Sequence, residues 1–222
     1  MVYRTLQIKA AGALASLLVG VISVTLLGAD LRTAKLEGAR LERVILVGAD
    51  LRGQQLGSLD CLHTQFIDAR LEEAVLSGAK LAGCNFKGAK LVGAALRGVQ
   101  ANNALFTEAD LRGADLREAA LSQALFIDAV LEGADLSGAD MRQCILHRSR
   151  CAEARFVATD LEYADFSQAN LRSADLSEAN LHRARLHSIL DQGATIPGRA
   201  AALAPDQERL SAETWQPDPE DD

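Results

Sequence analysis

The chain has 222 residues and a formal net charge of -7, enough for one ordinary domain or one long repeat array and too little for a multidomain enzyme. Aromatic residues make up 4% of it, while the hydrophobic set from Ala to Cys reaches 49%, so any core must be built from Leu, Ala and Val. The acidic balance disfavours direct nucleic-acid binding, which needs clustered Lys and Arg, and four Cys with no CxxC pair or Cys/His cluster argue against a structural zinc site or a disulfide-stapled fold.

The first element is apolar. Ala10 to Ala29 carry no charge and follow a short leader with Arg4 and Lys9. Twenty helical residues span roughly 30 Å, the thickness of a bilayer's hydrocarbon core. Residues 1–29 therefore read as a hydrophobic helix, a membrane anchor or a signal segment, with the basic leader on the cytoplasmic side. Were it cleaved, Val21-Ile22-Ser23 offers better small residues than Leu27-Gly28-Ala29, but more apolar residues follow it. A soluble capping helix is the third alternative.

From residue 24 to about 190 the chain repeats with a period of five. Of the 33 positions taken every fifth residue from Leu26 to Leu186, 23 are Leu and six are Phe, and none is charged. Two residues earlier, the column from Val24 to Ala184 holds 23 Ala, with Gln54 and Leu59 as the misfits. Helices bring side chains into register every 3.6 residues and strands every two, so neither explains the period. A chain that turns a corner after every unit does, with the Leu or Phe and the small Ala both facing a narrow axis. Twelve of the 17 Gly fall two residues after the central Leu or Phe, where such a corner needs positive φ.

Units such as Ala109-Asp110-Leu111-Arg112-Gly113 and Ala174-Asp175-Leu176-Ser177-Glu178 resemble the A(D/N)LXX unit of pentapeptide-repeat proteins. The resemblance implies an all-β fold, a right-handed quadrilateral parallel β-helix with four units per coil and about eight coils. Family members are often functionally uncharacterised, are abundant in cyanobacteria, and include a subgroup that protects DNA gyrase by imitating duplex DNA. Four units per coil predicts that residues 20 apart stack, and Phe66, Phe86, Phe106, Phe126 and Phe166 stand at multiples of 20, with only Phe156 off that face.

The phase fails at Asp191. Residues 191–222 read as a C-terminal cap and an acidic tail, with a short helix opening near Pro205, Trp215 packing over the last coil, and Pro217 to Asp222 a solvated extension.

Candidate chemistry is sparse. The four Cys face the axis as small hydrophobes. His63, His147, His182 and His187 fall in outward columns without metal-ligand spacing. Asp residues before the central Leu alternate with Arg and read as a mixed-sign solvated face. No catalytic, cofactor or metal site is expected, and a convex rod offers no cleft for a small-molecule substrate. One feature stands out: Ile45, Val47, Ile67, Leu105, Leu125, Ile127 and Ile145 occupy outward positions on the Phe-rich face, an apolar stripe about 24 Å long at strand spacing. Contiguous apolar surface marks an interface. The sequence thus points to a non-enzymatic interaction module that docks a protein partner or a second copy through one flat face. It reads as tethered to a membrane through residues 10–29, with the repeats extracytoplasmic (periplasmic or thylakoid-lumenal), or as secreted after cleavage. The alternative is a DNA-mimicking protein that protects a topoisomerase, but residues 30–190 net only -3.

Overall fold

The computed structural model describes residues 25–36, 39–57 and 59–203. From Arg40 to Asp175 every fifth residue forms a parallel bridge to the residue twenty positions on, as in Ile45 to Gln65, Asp50 to Arg70, Gln55 to Val75 and Asp60 to Lys80. One coil is therefore twenty residues and has four sides, each side one five-residue unit. The central residues Leu, Phe, Met141 and Cys61 and Cys151 line the axis, fully buried over most of the rod, and the Ala column fills the gaps between them. Burying one such side chain contributes about 1.5–3 kcal/mol, so a core with few aromatics holds through regularity.

Backbone hydrogen bonds explain why the unit is five residues long. The central N–H of each unit donates to the next coil, as Leu91 N to the Asp110 carbonyl at 2.7 Å. The N–H two residues later does the same, as Gly93 N to Arg112 O at 2.9 Å. The preceding residue donates to the previous coil, Lys90 N to Ala69 O at 2.9 Å, and a turn bond closes the corner, Ala94 N to Leu91 O at 3.0 Å. One N–H per unit, on the residue after the central one, is left over. The Asp or Asn before the central residue accepts it: Arg112 N donates to Asp110 Oδ1 at 3.3 Å, Ser177 N to Asp175 Oδ1 at 2.9 Å and Lys87 N to Asn85 Oδ1 at 3.0 Å. Backbone donors withdrawn from water need partners. The acidic column is thus first a backbone acceptor and only secondly a charged surface.

From Arg43 to Gly193 the corner column is left-handed at every described position. Gly78 has φ +73°, and non-glycines follow suit, with Glu108 at 59° and Ala158 at 54°. Glycine eases this conformation without being required for it. The misfit Gln54 is satisfied, its Nε2 donating to the Leu31 and Arg32 carbonyls at 2.8 and 2.6 Å. Other polar residues of the Ala column behave alike: Thr64 Oγ1 bonds the Leu41 carbonyl, and Thr159 Oγ1 donates to Leu136 O at 2.9 Å.

The solenoid starts with the five-residue period and runs on after that period lapses. Thr25 pairs with Ile45, and Leu26 and Ala29 are buried, so the last five residues of the apolar run belong to the first coil. The remainder of the expected anchor, residues 1–24, lies outside the described residues, as do Trp215 and the tail from residue 204. Among the described residues no helix is long and apolar enough to cross a membrane; the one helix there is the 3-10 turn Arg199–Ala201. At the other end the coil does not stop at residue 190. Leu176 N donates to Thr195 O at 2.8 Å, and Leu203 pairs with Arg185. The ladder uses backbone groups, so Asp191 in the central column ends the sequence pattern without ending the coil.

Candidate functional site

Phe66, Phe86, Phe106 and Phe126 stack with ring centroids 4.8–4.9 Å apart and nearly parallel planes. Their regular spacing fixes the outer surface of the same side. On it stand all seven aliphatics that the sequence singles out. Ile45, Val47, Ile67, Leu105, Leu125 and Ile127 are half-buried between coil neighbours, and Ile145 is 37% exposed. Leu105, Leu125 and Ile145 are joined directly by successive bridges, with Ile127 beside them.

The stripe is not continuous. Gln65 and Asn85 interrupt the column between Ile45 and Leu105, linked by Asn85 Nδ2 to Gln65 Oε1 at 3.1 Å, and Lys87 interrupts the adjacent column, 3.3 Å from Glu108. Two aliphatic groups result. The lower one gains Leu27, which is 64% exposed and lies one coil before Val47. Leu27 escapes the sequence reading because it sits inside the apolar run taken for an anchor; counting back 20 from Val47 finds it.

The charged columns are internally compensated. Asp30, Asp50, Asp110, Asp115 and Asp140 each hold the Arg two residues on, with Nη2 to Oδ2 distances of 2.6–2.7 Å. Hydrogen bonds from Arg32 draw the Asp30 carboxyl down to about 2, and corresponding bonds from Arg112 and Arg142 lower Asp110 and Asp140. Arg148 and Asp128 pair between coils at 2.6 Å.

The remaining chemistry-bearing groups do not converge. Cys61, Cys84, Cys144 and Cys151 are free and buried, and desolvation raises the last three thiols to about 12 and Cys61 further. Such thiols are inert as nucleophiles at neutral pH. His147 contacts Gln168 Oε1 at 3.1 Å, and His182 meets the edge of Tyr163. His187 departs from the sequence reading: although its column faces outward, it is 6% exposed, and Ser167 one coil below is 1% exposed. Among the described residues no group of three His, Cys, Asp or Glu is arranged to hold a metal ion.

Comparison with known proteins follows the geometry. The sequence matches the family Pentapeptide repeats in eight copies, over residues 22–56, 69–108, 109–148 and 149–187. Comparison with curated protein sequences gives no significant match. Among solved structures the chain is similar to HetL, a pentapeptide repeat protein involved in heterocyst differentiation regulation from the cyanobacterium Nostoc sp. Strain PCC 7120, at 31% identity over 83% of this chain and 88% of that one, with a TM-score of 0.32. It is also similar to QnrB1, a plasmid-mediated fluoroquinolone resistance protein, at 21% identity over 86% and 98% with a TM-score of 0.42. A pentapeptide repeat protein from the Arabidopsis thaliana thylakoid lumen shares 32% identity over 57% and 68%, with a TM-score of 0.16. A five-residue unit, a twenty-residue coil and eight matching repeat copies together show that this chain belongs to the pentapeptide-repeat family, whose members fold as right-handed β-helices.

Proposed function

We propose that this chain is a non-enzymatic docking module, delivered to or across a membrane, that binds a protein partner through the phenylalanine face. The observation that carries the proposal is the bridged row Leu105, Leu125 and Ile145 with Ile127 beside it, aliphatic side chains turned outward on a flat surface. Outward positions elsewhere on the rod are mostly polar or ion-paired, so this patch is where association removes apolar area from water. The DNA-mimic reading finds less support. A mimic of a phosphate array needs uncompensated negative charge, whereas five aspartates of the column are paired here with Arg32, Arg52, Arg112, Arg117 and Arg142.

The first coil bears on delivery. With residues 25–29 inside it, the uncharged stretch ahead of the solenoid is residues 10–24, fifteen residues. As a helix these reach about 22 Å, short of a ~30 Å hydrocarbon core and within the length of a signal peptide's apolar region. Of the apolar residues after Ser23, which weaken that cleavage site on sequence grounds, Leu26 and Ala29 are buried in the first coil. Export with cleavage after Ser23 therefore fits better than a permanent anchor.

Two experiments test the reading. Replacing Leu125 and Ile127 together by Asp should abolish recovery of the crosslinked partner from intact cells while the β-helix stays folded; undiminished recovery removes the docking face. Amino-terminal sequencing of the native protein should read from Val24, and a membrane-resident chain that retains Met1 restores the anchor.

A further inference from the structure

Resting on the docking reading above, we infer that the partner taken by the phenylalanine face is a second copy of this chain, packed side by side and parallel about a two-fold axis along the rod. Three observations lead there.

The first is what the face lacks. From Ile45 to His147 its two outward columns carry one charged residue, Lys87, whereas the other three sides carry five to nine over the same six levels. Ion pairs resist desolvation, so this is the side that two like surfaces can cover at least cost.

The second is how the face meets its own image. A two-fold axis along the rod sets each level against the same level of the second copy and exchanges the two columns. Leu125 then faces Ile127 of the second copy, and Ile45 faces Val47, so both aliphatic groups are covered at once. The level that divides them pairs as well, with Lys87 set against the Asn85 amide. The break at Gln65, Asn85 and Lys87 thus becomes the polar centre of the pair.

The third is the rims, which the same rotation lays on one another. Asn103, Gln123 and Gln143 are exposed and uncharged along one edge, with Gln123 Nε2 donating to Gln143 Oε1 at 2.9 Å. Along the other edge stand Glu108, Asp128 and Arg148, each already compensated within its own copy: Lys87 lies 3.3 Å from Glu108, and Arg148 lies 2.6 Å from Asp128. Each of the three meets a neutral amide, which hydrogen-bonds to either sign, and no like charges are opposed. An antiparallel pair centred on Leu125 instead opposes Asp128 to itself. Six levels at about 4.8 Å and five residues at about 3.3 Å give each copy about 480 Å² of plan area. The pair covers about 950 Å², near the ~1,000 Å² that a specific interface needs, so the dimer is reversible.

The four native cysteines are buried, so a cysteine placed on the surface is the thiol that a short, membrane-permeant bismaleimide links. The full chain carrying Gln65→Cys, His147→Cys or, on the opposite side of the coil, Ala95→Cys is treated in intact cells. Gln65 and His147 lie four levels apart, about 19 Å, so an antiparallel dimer brings at most one of the two levels to its own copy. The expected result is a product of twice the chain's mass, with peptides of this chain alone, from both Gln65→Cys and His147→Cys and none from Ala95→Cys. Adding Leu125→Asp should cut both yields about tenfold with the β-sheet dichroism unchanged; aspartate already stands in that column at Asp165. Linking at only one of the two levels overturns the proposal, as does equal linking at Ala95→Cys or a yield that Leu125→Asp leaves unchanged. No double-mass product also overturns it, and a photo-crosslinker at Leu125 then separates it from the reading beneath. Capture of a different protein there keeps docking and defeats the second copy, whereas no capture defeats both.

Discussion

Replacing Asp110 separates the two roles of the acidic column. Its Oδ1 accepts the otherwise unpaired Arg112 N–H at 3.3 Å, and its two oxygens hold the Arg112 Nε and Nη2 at 2.8 and 2.6 Å. The backbone acceptor is equivalent to a helix N-cap and contributes about 1 kcal/mol. The ion pair is half in solvent, with the Arg112 side chain 54% exposed, and contributes roughly 0.2–1 kcal/mol. Asp110→Asn keeps an acceptor oxygen and loses the charge, so it should cost only the ion pair's share, roughly 0.2–1 kcal/mol. Asp110→Ala loses both and should cost about 1.5 kcal/mol. Asp175 is the control without an arginine two residues on: its Oδ1 accepts Ser177 N at 2.9 Å and the Ser177 hydroxyl at 2.5 Å, so Asn should be nearly neutral there and Ala should cost at least about 1 kcal/mol. Urea midpoints at constant slope measure the differences. Asn costing as much as Ala at both positions would refute the backbone role, because charge alone would then carry the effect.

Three further outcomes follow from the same geometry. Phe106→Ala opens a gap between the rings of Phe86 and Phe126 and should cost about 3–5 kcal/mol, whereas Phe106→Leu, the column's usual residue, should cost far less; equal losses in urea denaturation would deny the stack its packing role. Ala158→Gly removes a Cβ held at φ 54° in an exposed corner and should raise stability by about 0.5–1 kcal/mol, measured as a higher urea midpoint. Acid should act through the aspartates. Side-chain hydrogen bonds hold Asp30 at about 2 and lower Asp50, Asp110, Asp115, Asp128, Asp140 and Asp175, so their contribution is complete above the ordinary value of 3.8 and is lost as pH falls through the lowered folded values. A urea midpoint unchanged from pH 5 to pH 2 contradicts that.

The architecture is legible in the sequence because one period controls it. Counting by five finds the axis, counting by twenty finds the Phe66 to Phe126 stack, and the same arithmetic places Leu105, Leu125 and Ile145 side by side. Three features escape it for physical reasons. The Asp column reads as surface charge, since only the hydrogen-bond scheme reveals the N–H at Arg112 or Ser177 that needs an acceptor. The left-handed corners at Glu108 and Tyr163 carry no glycine to announce them, because the ladder on either side imposes the conformation. Coil pairing at Leu190, Thr195 and Leu203 persists after the side-chain pattern lapses, since backbone groups make the bonds. Leu27 and Gln65 show the limits for the candidate site: Leu27 lies where the apolar run and the repeat overlap, and Gln65 divides a stripe that the aliphatic positions alone suggest is whole.

The most direct measurement of the docking claim places a photo-crosslinking amino acid at Leu125 or, on the opposite side of the coil, at Ala95, and irradiates intact cells containing each chain. The docking account predicts a discrete crosslinked protein from Leu125 and none from Ala95. Equal yields from the two positions, or a product from Ala95 alone, would contradict it.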